Sequence, residues 1–227
     1  MNIKDMENME VIMFGIYDMF KSKHMKNTTL ADGSYTFVDD LKLLSLMTPI
    51  PPYKMKSCIE IKESPIHGIG IFATDDIPIS TAITFYPADM LMYYPDGNKK
   101  QDTHKKNVLV QCSERSKSII MSKDLVMKEW DKISSYRFEL DNYVTIAGHP
   151  KCIDDTKYLG HMINDRFKPN GDKITPDIYL QMSMARMNCY FYPWKSGLHV
   201  AIVTCRNISK GEELFISYGI NYWKHNN

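Results

Sequence analysis

The sequence predicts an α+β fold that is mainly β, carried in one domain behind an N-terminal helical extension. Three observations lead there. Beyond residue 56 the chain breaks into short segments that alternate or are rich in β-branched and aromatic residues, each closed by a turn signal. Helical periodicity is confined to the N-terminal stretch and two short later ones. Pro49, Pro51 and Pro52 separate the two textures. Short strands without regular strand–helix alternation argue against a doubly wound parallel sheet.

The elements follow in chain order. Residues 3–24 place Ile3, Met6, Met9, Met13, Ile16, Tyr17 and Phe20 on one helical face, which predicts an amphipathic helix docked on a core. Asn27–Ser34 reads as loop and Asp39–Met47 as a second short helix. With the proline connector these make residues 1–52 the helical extension. Strands are predicted at Ser57–Glu63, Ile69–Ala73, Ala82–Tyr86, Tyr136–Leu140, Tyr143–Ala147, His199–Cys205 and Leu214–Tyr218. His67-Gly68, Asp75-Asp76, Asp141-Asn142 and Gly148 supply turns. A helix is predicted at Leu125–Ile133, inside a long polar stretch, and Asp177–Met187 is compatible with another. Lys99-Lys100 and Lys105-Lys106 read as a solvated loop face.

Composition narrows the function classes. A chain of 227 residues with 44% hydrophobic residues can bury a core without metal or disulfide staples. Lys and Arg number 28 against 27 acids, so the basic excess of a phosphate-backbone binder is missing and no direct nucleic-acid binding is expected. The five cysteines stand apart, with no Cys-x-x-Cys, which predicts free thiols in a reducing compartment and no metal site. The apolar run Val11–Tyr17 is too short to span a bilayer, and Asp5, Glu7 and Glu10 precede it where a signal peptide would be basic. The expected setting is cytoplasm or nucleus.

His67-Gly68-Ile69-Gly70-Ile71-Phe72-Ala73 spells the glycine pattern of a dinucleotide site, and a strand precedes it. That site also needs a helix opening at the glycines to hold pyrophosphate. Pro78 and the β-branched residues after it forbid one. A dehydrogenase is therefore disfavoured. The glycines serve a hairpin, or let a ligand approach the backbone.

Three further blocks give the motif its context. Asp76–Tyr86 (DIPISTAITFY) follows the glycine turn, and Tyr158–Asp165 (YLGHMIND) comes much later. Val203–Gly219 (VTCRNISKGEELFISYG) closes the set. In this order they resemble the SET-domain protein lysine methyltransferases. The resemblance covers residues 56–224, with a long insert near 88–135. It implies small β-sheets around a C-terminal pseudoknot, S-adenosyl-L-methionine as cofactor, and a lysine-bearing protein or peptide as partner, a histone tail among the candidates in a chromatin role. It places Tyr218 and Tyr86 at the lysine channel as the catalytic pair. It places His67, Gly68, Ile69, Gly70, Tyr136, Asn164, Asp165 and Trp223 around the cofactor, and it calls for no metal. Asp165 stands where the family has histidine, and Pro169-Asn170 and Asn188 both fit the family's next conserved segment. No cysteine follows Cys205, so the zinc-binding tail of many relatives is not expected, and Trp223 and its neighbours are expected to close the channel. Cys189 reads as a small buried residue.

The implied chemistry suits these residue types. Methyl transfer to an amine needs a neutral nucleophile in line with the leaving sulfur. An aromatic channel holds the lysine stem, disfavours its charged form and excludes water. Each tyrosine could instead be a core strand residue, and a SET-fold binding module without turnover, with Asp165 as its lesion, is the competing reading.

Overall fold

The computed structural model describes residues 36–38, 57–94, 108–111, 123–140, 144–168, 174–193 and 200–225. The helices expected at 3–24 and 39–47, the proline connector and the two lysine pairs lie outside them. Among the described residues ten strands form three sheets. β2 (Ile59–Glu63) and β3 (Ile69–Ala73) make a hairpin. β4 (Ala82–Tyr86), β10 (Val200–Thr204) and β9 (Cys189–Pro193) make a three-stranded antiparallel sheet, ordered β4-β10-β9. The third sheet holds β1 (Thr36–Val38), β5 (Met90–Tyr93), β6 (Val108–Gln111), β7 (Arg137–Glu139) and β8 (Val144–Ala147), in the order β1-β6-β5-β8-β7. Its β1–β6 pairing is parallel and the others antiparallel.

The hairpin β2–β3 shows why its sequence folds as it does. Alternation in Ile59–Glu63 puts Ile59 inward, and the register runs from Ile59↔Ala73 to Glu63↔Ile69. The Ser64 hydroxyl accepts the N–H groups of Ile66 and His67, and the Ser64 N–H donates to the Gly68 carbonyl at 2.8 Å. Gly68 closes the turn at φ +42°, a left-handed conformation that favours glycine.

β5 and β6 come from the stretch read as an insert, yet β5 sits in the middle of the five-stranded sheet. Helix α1 (Lys123–Lys132) covers this sheet with Trp130, which packs with Met90, Met92, Ile133 and Ala147. The Arg137 guanidinium lies 4.6 Å from the Trp130 ring and donates to the Trp130 carbonyl. A second cluster joins Ile71, Ile83, Leu159, Ile163, Ile202, Leu214 and Ile216, tying the hairpin to the three-stranded sheet. Each fully buried aliphatic chain contributes about 1.5–3 kcal/mol.

The segment expected as a strand at Leu214–Tyr218 belongs to no sheet. It crosses from one partner to another, so each neighbour pairs with it over only a residue or two. Gly211 donates to the Ala73 carbonyl and Leu214 to the Ile71 carbonyl. Further along, Phe215 bridges to Asn164, and Ile216 donates to the Asn164 carbonyl. On its other side the Asn188 side chain accepts the Phe215 N–H at 2.7 Å and donates to the Glu213 carbonyl at 2.8 Å. This crossing beneath residues 163–165 is the pseudoknot, and Asn188 pins it. Residues 169–173 lie outside the described set.

Helix α2 (Pro176–Tyr179) starts where its sequence signals. Thr175 accepts the Ile178 N–H and Pro176 occupies the first turn. It widens into a π-helical turn over Leu180–Met184. The last helix, α3, is Ile220–His225.

Candidate active site

The crossing places Tyr218 beside Ile163, Asp165, Tyr222 and Trp223, and Trp223 beside His67. Tyr86 ends β4 and is buried. Its hydroxyl donates to the Tyr136 carbonyl at 2.6 Å, and its ring is surrounded by Phe138 (5.4 Å), Phe191 (6.0 Å) and His161 (6.4 Å). Tyr136 itself lies edge-on to His161 at 6.2 Å. Phe138 and Phe191 meet at 4.7 Å. Tyr218 follows the crossing, and its hydroxyl donates to the Ile163 carbonyl at 2.8 Å. Tyr222 packs against its ring at 4.8 Å.

Electrostatics keep these phenols neutral. Burial pushes the Tyr86 hydroxyl well above its usual pKa of 10, and the neighbouring Tyr218, Tyr222 and Tyr136 hydroxyls add to this. Burial likewise raises Tyr218, with Tyr222 and the Asp165 carboxylate contributing. Both hydroxyls have committed their proton to a main-chain carbonyl. Each oxygen therefore keeps lone pairs able to accept a hydrogen bond.

The other end of the site is built on Asp165, which is fully buried. Its Oδ1 accepts the Phe167 N–H at 2.9 Å. Its Oδ2 accepts three donors: the Tyr179 hydroxyl at 2.6 Å, the Tyr218 N–H at 3.0 Å and the Trp223 indole N–H at 3.0 Å. Four donors come close to the full capacity of a carboxylate, so Asp165 faces protein. The Asn164 amide is committed too, to the carbonyls of His67 and Ile69 at 3.0 Å and to Glu213 Oε1 at 3.1 Å. His67 bonds the Phe167 carbonyl through Nε2 at 2.7 Å, and its ring stacks 5.6 Å from Trp223. Trp223 also stacks on Tyr218 at 6.1 Å and meets Phe167 edge-on at 5.3 Å.

The two glycines differ. At Gly68 an added side chain would meet nothing within 4 Å, and the neighbouring Ile69 is 46% exposed. This part of the turn is open. At Gly70 an added Cβ would run into Glu213 Oε1 and come within 3.1 Å of Asn164 Nδ2. The close approach that Gly70 permits is thus made by a buried carboxylate of the same chain. Gly70→Val is expected to cost stability first, about 2–3 kcal/mol or more for an overpacked site. A melting temperature equal to wild type would show that Glu213 moves aside freely.

Sequence reasoning missed Tyr179, Phe167, Phe138, Phe191, Tyr222 and Glu213 as members of this site. Tyr179 lay in a segment judged only by its helical period, and Glu213 was seen as part of a motif without a partner. Cys189 is buried at the start of β9, and burial pushes its thiol pKa up, so it is a packing residue. Among the described residues no group of three or more His, Cys, Asp or Glu side chains is arranged to hold a metal ion. No described helix is long and apolar enough to cross a membrane.

Comparison with known proteins gives the site its family. No curated protein matches the sequence significantly. Among solved structures the chain is similar to a Plasmodium falciparum protein described as a "putative histone methyltransferase". The two are 18% identical, the match covers 74% of this chain and 98% of that one, and the TM-score is 0.36. The family profile of the SET domain matches residues 68–219, from the open glycine turn to the residue after Tyr218. That span is two thirds of the chain and contains strand β3, Tyr86 with Tyr136, Phe138 and Phe191, and the crossing segment, so the chain belongs to the SET-domain family.

Proposed function

We propose that this SET domain transfers a methyl group from S-adenosyl-L-methionine to the side-chain amine of a lysine in a protein, with Tyr218 and Tyr86 as its catalytic residues. One observation carries the reading. Two neutral tyrosine hydroxyls, each with its proton already given to a backbone carbonyl, stand within a set of aromatic rings. Such oxygens are acceptors. They can orient an incoming amine through its N–H bonds and receive weak C–H···O contacts from a polarised methyl.

The rings of Phe138, Phe191, Tyr136 and Tyr222 suit the aliphatic stem of lysine. They disfavour the ammonium form, so the proton leaves to solvent before the amine arrives. The same rings exclude water that would keep the amine solvated.

The cofactor's contribution, when bound, is an electrophilic methyl on a sulfonium sulfur. The open backbone at Gly68, with the partly exposed His67 and Trp223 rings beside it, suits a flat base and a ribose. His67, the Gly68–Gly70 turn, Tyr136 and Trp223 would hold it. Asn164 and Asp165 would act through the backbone and rings they fix, since their side chains are engaged. Asp165 lends no support to a non-catalytic module, because its carboxylate anchors the wall of the site. Lysine-bearing peptides, histone tails included, are the substrate class.

The test is a labelled-methyl assay on histones and on a cell lysate, with mass spectrometry to locate the product, beside calorimetry with the cofactor. Methylated lysine supports the proposal. Absence of both cofactor binding and methyl transfer overturns it. The pH profile is a second check. Phenols with raised pKa values stay protonated below about pH 10, whereas the lysine amine, with a pKa of about 10.4, gains its reactive form as pH rises. The second-order rate is therefore expected to climb roughly tenfold per unit from pH 7 to 9. A descending limb in that window would assign a tyrosine or another group a titrating role.

A further inference from the structure

The hydroxyl of Tyr179 has no part in the chemistry above, yet it bonds three groups beside it. Tyr179 is buried, and its ring packs on Phe167 at 5.3 Å. Its hydroxyl donates to Asp165 Oδ2 at 2.6 Å, lies 2.8 Å from Ser217 Oγ and accepts the Gly219 N–H at 2.8 Å. Ser217 and Gly219 are the residues on either side of Tyr218. The Tyr218 N–H and the Trp223 indole N–H share the same Asp165 oxygen. One hydroxyl thus fixes three consecutive residues of the chain, two directly and the middle one through Asp165.

We propose that Tyr179 is the positioning residue of the site: through Asp165, Ser217 and Gly219 it sets where Tyr218 stands and where α3 begins. It is brought in by the short helix capped by Thr175. Gly219 sits at φ +85°, a left-handed conformation just before α3, and the Tyr179 oxygen satisfies its N–H. Without the hydroxyl, the Gly219 N–H loses its acceptor and Asp165 loses its shortest bond. The backbone on either side of Tyr218 then loses its direct anchor, and the Tyr218 ring is held by its packing, its hydroxyl bond to Ile163 and an Asp165 carboxylate that is itself less firmly fixed. Displacing a reacting group by a fraction of an ångström slows a reaction while leaving substrate binding intact.

As a statement about methyl transfer this rests on the proposed function, so the test has two arms. In the first, Tyr179→Phe keeps the ring and its contact with Phe167. Amide and indole N–H resonances are compared with wild type, and those of Trp223 are assigned through Trp223→Phe. The Trp223 indole and Gly219 amide resonances are expected to move and the Trp130 indole resonance to stay. Unmoved Trp223 and Gly219 resonances overturn the proposal. In the second arm, methyl-transfer kinetics on a histone substrate are expected to show kcat lowered roughly tenfold with substrate KM within about twofold. Ser217→Ala, which removes one arm of the same network, is expected to show the same split more weakly. An unchanged kcat in an active enzyme reduces Tyr179 to a folding role and overturns the proposal. A wild-type protein that transfers no methyl overturns the methyltransferase reading alone, and the resonance arm then decides the positioning role.

Discussion

Asp165→Ala is expected to destabilise the domain by about 4 kcal/mol or more, well beyond the roughly 1 kcal/mol of an average substitution. The methyl group leaves the Trp223 indole and the N–H groups of Phe167 and Tyr218 without their acceptor, and the Tyr179 hydroxyl has only Ser217 to turn to. Each orphaned group costs about 1–3 kcal/mol, and the sum is reduced by whatever water enters. For a chain of this size the melting temperature should fall by roughly 8–16 °C. Asp165→Asn should fall between the two, since an amide offers one acceptor oxygen in place of two. The informative variant is Asp165→His, which installs the residue most of the family carries. An imidazole presents at most one acceptor, so in this site the family residue is expected to destabilise. Thermal or urea melts of the three variants decide it. A histidine variant as stable as wild type would mean that the four bonds are incidental and that Asp165 is a tolerated loss.

The hydrogen bonds of Asp165 give it a structural role that is not visible in the sequence. There it was a departure from a motif and a reason to suspect lost turnover. Its identity was legible, but its partners were not. Tyr179 lies 14 residues away and Trp223 58 residues away. No local pattern connects them, because the connection is made by the chain crossing itself. The fold was readable where the signals are local. β3 and β4 fall on the predicted residues because branched and aromatic runs end at clear turns. β5 escaped notice because Met90, Leu91 and Met92 are all buried, so nothing alternates. β9 escaped because Pro193 ends it, which is admissible only on an edge strand, and β9 is an edge. Leu214–Tyr218 has the composition of a strand but not its surroundings, since its hydrogen bonds go to three different segments. The glycine motif shows the same division. The turn could be inferred from Gly68, whereas the carboxylate that fills the space over Gly70 could not.

Tyr218→Phe should then separate chemistry from architecture. The ring stays, with its contacts to Tyr222 and Trp223, and the N–H bond to Asp165 is main-chain and survives. The one interaction removed is the hydroxyl's bond to the Ile163 carbonyl, whose loss costs about 1 kcal/mol of stability. The melting temperature should drop by only about 2–4 °C. Activity should suffer far more. If the oxygen accepts from the amine or the methyl during transfer, its loss of about 1–3 kcal/mol of stabilisation slows the reaction roughly 10- to 100-fold. Cofactor affinity should stay within about twofold, because the rings and backbone proposed to hold it are unchanged. Tyr86→Phe offers the matched comparison, since its hydroxyl donates in the same way to Tyr136. A Tyr218 variant with full activity would remove its oxygen from the mechanism. One that loses activity only in proportion to its unfolding would make Tyr218 a core residue at the crossing and leave Tyr86 as the remaining candidate for the chemistry.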